Sequence, residues 1–78
     1  SNIDIALWEA LRECRRSFAV ELGIPPYVIF NDASLQEMCL MLPTDFDNFS
    51  RINGVGQRKL EKYGPAFIGV ITEHLATY

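Results

Sequence analysis

The sequence has little of what catalytic and metal centres are built from. Histidine occurs once, at His74, and cysteine twice, at Cys14 and Cys39, with no C-x-x-C unit and no histidine near either thiol. Zinc and calcium spacings are absent, as is a nucleophile elbow. The stretch Gly54-Val55-Gly56-Gln57-Arg58-Lys59 lacks the spacing of a Walker phosphate loop. Asp45 and Asp47 stand two apart on a short helical stretch, so they point away from each other and read as a solvated first turn favoured by the helix dipole. His74 reads as a surface or core-edge residue of the last helix. These absences exclude catalysis within this chain and any metal or cofactor of its own.

Other absences bound the class. No apolar run approaches the ~20 residues of a membrane span, and no signal peptide opens the chain. The valine and threonine alternation that strands need is missing. Without a secretory signal, Cys14 and Cys39 read as reduced, partly buried thiols rather than a disulfide. The expected location is intracellular, in cytoplasm or nucleoid for a bacterial protein.

What is present suffices for one small core. Seventy-eight residues allow a single domain, 1–78, and a chain of this size buries only about 60% of its unfolded surface. Hydrophobic residues make up 49%, with five Phe, three Tyr and one Trp, so folding is expected without a staple. Ser1-Asn2 is featureless and reads as a cloning remnant. A unit this small with no catalytic apparatus reads as a module of a larger protein, monomeric in isolation.

Helical spacing dominates. Asp4 is placed to cap a first helix running to about Leu22, with Gly23 closing it. Leu7, Trp8, Leu11, Cys14, Phe18 and Leu22 share its inner face. Pro25-Pro26 breaks that helix and starts a new turn, "PPYVIF", whose Val28, Ile29 and Phe30 feed the core. Asn31 or Asp32 caps the next helix, with Leu35, Met38, Cys39 and Leu42 inward and Pro43 as its stop. Thr44 caps a short helix carrying Phe46, Phe49 and Ile52. After the Gly54-Val55-Gly56 turn comes a short helix with Leu60 and Tyr63. Gly64 ends it, and Pro65 begins a last helix that buries Phe67, Ile68, Ile71, Leu75 and Tyr78. The expectation is an all-α, compact orthogonal bundle of about five helices plus the proline-started turn.

One stretch runs against the acidic balance of ten acids to seven bases. "RINGVGQRKLEKYG", Arg51 to Gly64, packs two glycines before Gln57, Arg58, Lys59 and Lys62. Glycine tolerates positive φ and close backbone approach, and this reading asks it of Gly56 in particular. The amides that open the following helix are unpaired and lie at its positive end, where a phosphate can dock. A plain turn with a solvated charged face fits the same residues. Tyr27 has two readings as well: a rigidly held ring on which a base stacks, or a ring flat on the core edge. Arg12, Arg15 and Arg16 form a second basic group. Glu9 and Glu13 are spaced to pair with Arg12 and Arg16, and the Arg15 stem is placed to snorkel along the apolar stripe.

"PPYVIFNDASLQEM" followed by "INGVGQRKLEKYG" resembles the HRDC domain, the helicase-and-RNase-D C-terminal module, in its RecQ form. The leading "LWEALRECRRSFAVELGIPPY" is similar to that family's first helix, so the likeness covers nearly all of the chain. The resemblance implies a helical auxiliary domain of a RecQ-like ATP-dependent DNA helicase. ATP, magnesium and zinc would belong to the rest of that helicase. It implies weak, sequence-independent contact with single-stranded or partly double-stranded DNA, in a role in repair and recombination. Tyr27 matches the family's "PPY" tyrosine, and Gly54, Gly56, Gln57, Arg58, Lys59 and Lys62 fall in its second motif. DNA-binding domains usually carry a basic footprint, and this chain has a formal charge of -3. The alternative partner is therefore protein: the parent helicase core or another repair protein.

Overall fold

The computed structural model describes residues 3–77; Ser1, Asn2 and the expected core residue Tyr78 lie outside the described residues. Five helices follow one another: α1 (Ile5–Leu22), α2 (Pro26–Ile29), α3 (Asp32–Met41), α4 (Phe46–Phe49) and α5 (Gln57–Thr77). No strand occurs among the described residues, so the all-α class is as expected.

Local chemistry sets most of the boundaries. Asp4 Oδ1 accepts the Leu7 amide at 3.2 Å and opens α1; Gly23, in the left-handed region at φ 66°, closes it. Asn31 Oδ1 accepts the Ser34 amide at 2.8 Å and opens α3. The cap of α4 is Asp45 rather than Thr44, because the Asp45 carboxylate reaches the Asn48 amide at 2.8 Å. Asp45 is thus an exposed cap, and Asp47 is the acid of the first turn.

The largest departure is at Gly64-Pro65, which does not divide the last helix. α5 runs unbroken for 21 residues through both. Proline there removes one hydrogen bond and costs about 3 kcal/mol. Yet Tyr63, Phe67 and Ile71 keep one phase across it, and all three are buried. Gly64 makes the proline tolerable, since the clash that drives a pre-proline residue out of helical φ/ψ involves its Cβ, and glycine has none. A Cβ at Gly64 would also lie 3.2 Å from the Leu60 side chain.

The core is built on α1 and α5, which run antiparallel. His74 of α5 stands 3.1 Å from Asp4 at the start of α1, and Phe18 near the end of α1 meets Tyr63 and Phe67. Phe30 sits at the centre, its ring against Phe67 at 5.0 Å, Tyr63 at 5.8 Å and Phe49 at 6.0 Å. The buried row on α1 is Leu7, Leu11, Arg15 and Ala19, with Trp8, Cys14 and Phe18 half-buried beside it.

Five apolar residues expected inside are exposed. Leu22 and Leu75 lie in the last turns of their helices, where the bundle no longer covers the stripe. Leu42 is the C-cap of α3, left-handed at φ 53°, so helical phase does not apply to it. Phe46 opens a one-turn helix whose inward face Phe49 takes. Val28 points outward because a single turn turns only Ile29 and then Phe30 inward. Both thiols are free; Cys39 is buried and Cys14 half-buried. Burial pushes the Cys14 thiol up to about 11.

Candidate nucleic-acid interface

The turn before α5 is shaped by one glycine, and it is Gly54. Its φ is 93°, and a Cβ there would lie 2.6 Å from Ser34 Oγ. That hydroxyl donates to the Asn53 carbonyl at 2.6 Å, while the Asn53 amide donates to Glu37 Oε1 at 3.3 Å. α3 therefore grips the loop. Gly56 has no positive φ and open space around it, so the strain expected at Gly56 belongs to Gly54 instead. The Gly56 carbonyl accepts the Leu60 amide at 2.9 Å and so starts α5.

The opening of α5 differs from those of α1, α3 and α4. Those three are closed by the side chains of Asp4, Asn31 and Asp45. Gly56 has no side chain to offer. Among the described residues no side-chain hydrogen bond reaches the amides of Gln57, Arg58 or Lys59. The helix dipole and these free donors favour an anion here.

Cations gather at the same end. Of the seven bases, Arg12 pairs with Glu9 at 3.9 Å, Arg15 with Asp32 at 2.9 Å, Arg16 with Glu13 at 2.7 Å and Arg51 with Asp47 at 3.1 Å. Arg58, Lys59 and Lys62 have no carboxylate partner among the described residues. Glu61, the acid among them, accepts from Gln57 Nε2 at 2.7 Å and makes no ion pair with these three among the described residues. Gln57, itself exposed, thus spends one amide N–H on Glu61. The Lys59 ammonium lies 5.7 Å from the centre of the Phe30 ring and that of Lys62 5.6 Å from the Tyr63 ring. Each ammonium is thus within cation–π range of an aromatic ring, with Lys62 exposed and Lys59 partly so.

Tyr27 is 70% exposed, so its ring is not flat against the core. It lies on α2, three residues before Phe30, so Phe30 links it to Lys59. Arg15 overturns an expectation. Its guanidinium does not snorkel to water; it is buried, donating to the Phe30 carbonyl at 3.0 Å. Sequence reasoning missed Ser34 altogether and, at Arg15, missed the buried role rather than the residue. Arg15 was legible in the four-residue row 7, 11, 15, 19; nothing in the sequence marked Ser34.

The family model for the HRDC domain matches residues 4–71. This chain belongs to the HRDC domain family. An ATP-dependent DNA helicase RecQ of Haemophilus influenzae is 46% identical to this HRDC domain over 76 residues, 97% of the chain and 12% of the relative. RecQ of Bacillus subtilis is 44% identical over 62 residues, 80% of the chain and 10% of the relative. The family likeness extends to a second helicase type: ATP-dependent DNA helicase UvrD2 of Mycobacterium tuberculosis is 41% identical over 64 residues, 82% of the chain and 9% of the relative. The solved structure of D. radiodurans RecQ HRDC domain 3 superposes with a TM-score of 0.85 at 32% identity, covering 88% of this chain and 91% of that one. This HRDC domain spans about a tenth of the length of the curated relatives it matches. No described helix is long and apolar enough to cross a membrane.

Proposed function

We propose that this HRDC domain is a non-catalytic auxiliary module of a RecQ-type ATP-dependent DNA helicase. It binds single-stranded or partly double-stranded DNA weakly and without sequence preference, adjusting which substrates the helicase engages. Phosphates meet the open start of α5 with Arg58, Lys59 and Lys62, and Tyr27 stacks on a base. The observation that carries this reading is the pairing pattern: every base outside that group is neutralised by an acid within 4 Å, and these three are not. The net charge of -3 therefore does not preclude a local cationic contact.

Titration of a labelled single strand at several salt concentrations tests it. Three or four phosphate contacts give a logarithmic salt slope of about -2 to -3. With so small a contact, the dissociation constant falls at roughly micromolar to millimolar in low salt. Lys59→Glu and Lys62→Glu each weaken binding to all sequences equally, since phosphates carry no sequence information. No binding in ~20 mM salt, or binding indifferent to both reversals in a folded protein, would refute this reading. A protein-docking role is then favoured by the exposed Leu40, Leu42 and Leu75, which border a cavity of about 460 Å³ beside the His74–Asp4 contact.

A further inference from the structure

α2 is a single turn, and little within it holds it in place. It has no side-chain cap, and the Val28 amide closes it on the Pro25 carbonyl at 3.0 Å. Its last residue, Ile29, and then Phe30 enter the core. The remaining restraint comes from α1. Arg15 Nη1 donates to the Phe30 carbonyl at 3.0 Å and lies 2.9 Å from Asp32 Oδ1. One guanidinium thus holds the residue that ends α2 and the residue that begins α3.

This is an expensive way to fill a core position. A buried cation loses its hydration, and an apolar side chain in the same row often serves stability as well or better. What a leucine would not do is grip a backbone carbonyl. Phe30, the residue so gripped, is shared by both halves of the candidate interface: its ring lies under the Lys59 ammonium, and Tyr27 precedes it by three residues.

We infer that Arg15 is a positioning residue for single-strand binding: by holding the Phe30 carbonyl and Asp32, it fixes the pose of Tyr27 against Lys59 and Lys62. This rests on the reading of Tyr27 as a base platform. Arg15 is itself only 11% exposed and already paired, so it does not meet a phosphate.

The test is a double-mutant cycle in binding of a labelled oligothymidine strand at low salt. Arg15→Gln is made together with Asp32→Asn, so the net charge is unchanged. The pair weakens binding by about 5- to 150-fold, the range of one stacked base. It adds little more when Tyr27→Ala is already present, and it multiplies with Lys59→Glu. In the folded pair variant, hydrogen exchange at the Val28 amide accelerates while the Phe67 amide is unchanged. Unaltered binding, a full extra loss on top of Tyr27→Ala, or unaltered Val28 exchange would overturn the inference. If Tyr27→Ala alone binds normally, the base-platform reading falls and the inference with it. Full additivity beside a real Tyr27 loss sinks the positioning role alone. Should the pair variant not fold, Arg15→Lys, which keeps the charge but loses the planar fork, carries the same cycle.

Discussion

Gly54→Ala isolates the physics of the turn before α5. Its new methyl would sit 2.6 Å from Ser34 Oγ, on a backbone at φ 93°. Holding alanine at positive φ costs about 1–2 kcal/mol. The hydroxyl must rotate away, abandoning the Asn53 carbonyl, and that lost part-buried bond costs about 1–3 kcal/mol more. The stiffer unfolded chain returns roughly 0.5 kcal/mol. The sum is about 2–4 kcal/mol, or a fall in Tm of about 10–30 °C for a domain of this size. In a Ser34→Ala background the nearest neighbour becomes the residue-34 Cβ at 3.8 Å, an ordinary contact. Only the φ cost then remains, so the two substitutions couple by the lost hydrogen bond, about 1–3 kcal/mol. Urea unfolding followed by far-ultraviolet circular dichroism measures all four corners of the cycle. Gly56→Ala is the control, with open space and no positive φ, and costs at most about 1 kcal/mol. If Gly54→Ala costs the same with and without the Ser34 hydroxyl, the contact is not the cause. If Gly56→Ala is the more damaging of the two, the account of the turn is wrong.

Further outcomes follow from other sites. Tyr27→Ala weakens single-strand binding by about 1–3 kcal/mol with little change in Tm; a large stability loss with binding intact would place the ring in the core. The Asp4 carboxyl is held below its usual range, chiefly by the Leu7 amide, against opposing desolvation, and further by His74. A depressed carboxylate contributes stability above its unfolded pKa of about 4, which is lost as pH falls through the folded value. Asp4→Asn keeps the cap, so its Tm deficit is present at neutral pH and closes in acid; a deficit constant with pH refutes the linkage. With its thiol raised to about 11 by burial, Cys14 reacts slowly with iodoacetamide in mildly alkaline buffer; labelling at the rate of an unfolded control contradicts that burial.

Much of the fold was legible because the caps are local chemistry. Asp4, Gly23 and Asn31 act where their side chains or φ freedom predict. The failures have two physical sources. Helical phase does not guarantee burial in a last turn that the bundle leaves uncovered, as at Leu22 and Leu75, and it does not apply past a helix end, as at Leu42. Residue type was trusted over phase at Gly64-Pro65, although Leu60, Tyr63, Phe67 and Ile71 already ran in one register through that pair. For the candidate site, the basic group and Tyr27 could be read from the motif. Which cations remain unpaired could not, because it depends on where Asp32 and Glu61 are carried by the fold. The supporting contacts of Arg15 and Ser34 span 15 and 19 residues, beyond the reach of local patterns.

The continuity of α5 has a mechanical consequence. Twenty-one residues at ~1.5 Å each make a rod of about 30 Å, close to the longest dimension of the molecule, 32 Å. At one tip stand Arg58, Lys59 and Lys62; at the other, His74 meets Asp4, so both ends of the described chain emerge together. A helicase tethering the domain there would carry the cationic tip on the far side, facing away from the point of attachment. On a flexible tether that tip would sweep an arc about the attachment. Tether length would then tune its effective concentration at the strand, so a shorter linker would alter DNA capture with no change in the domain itself.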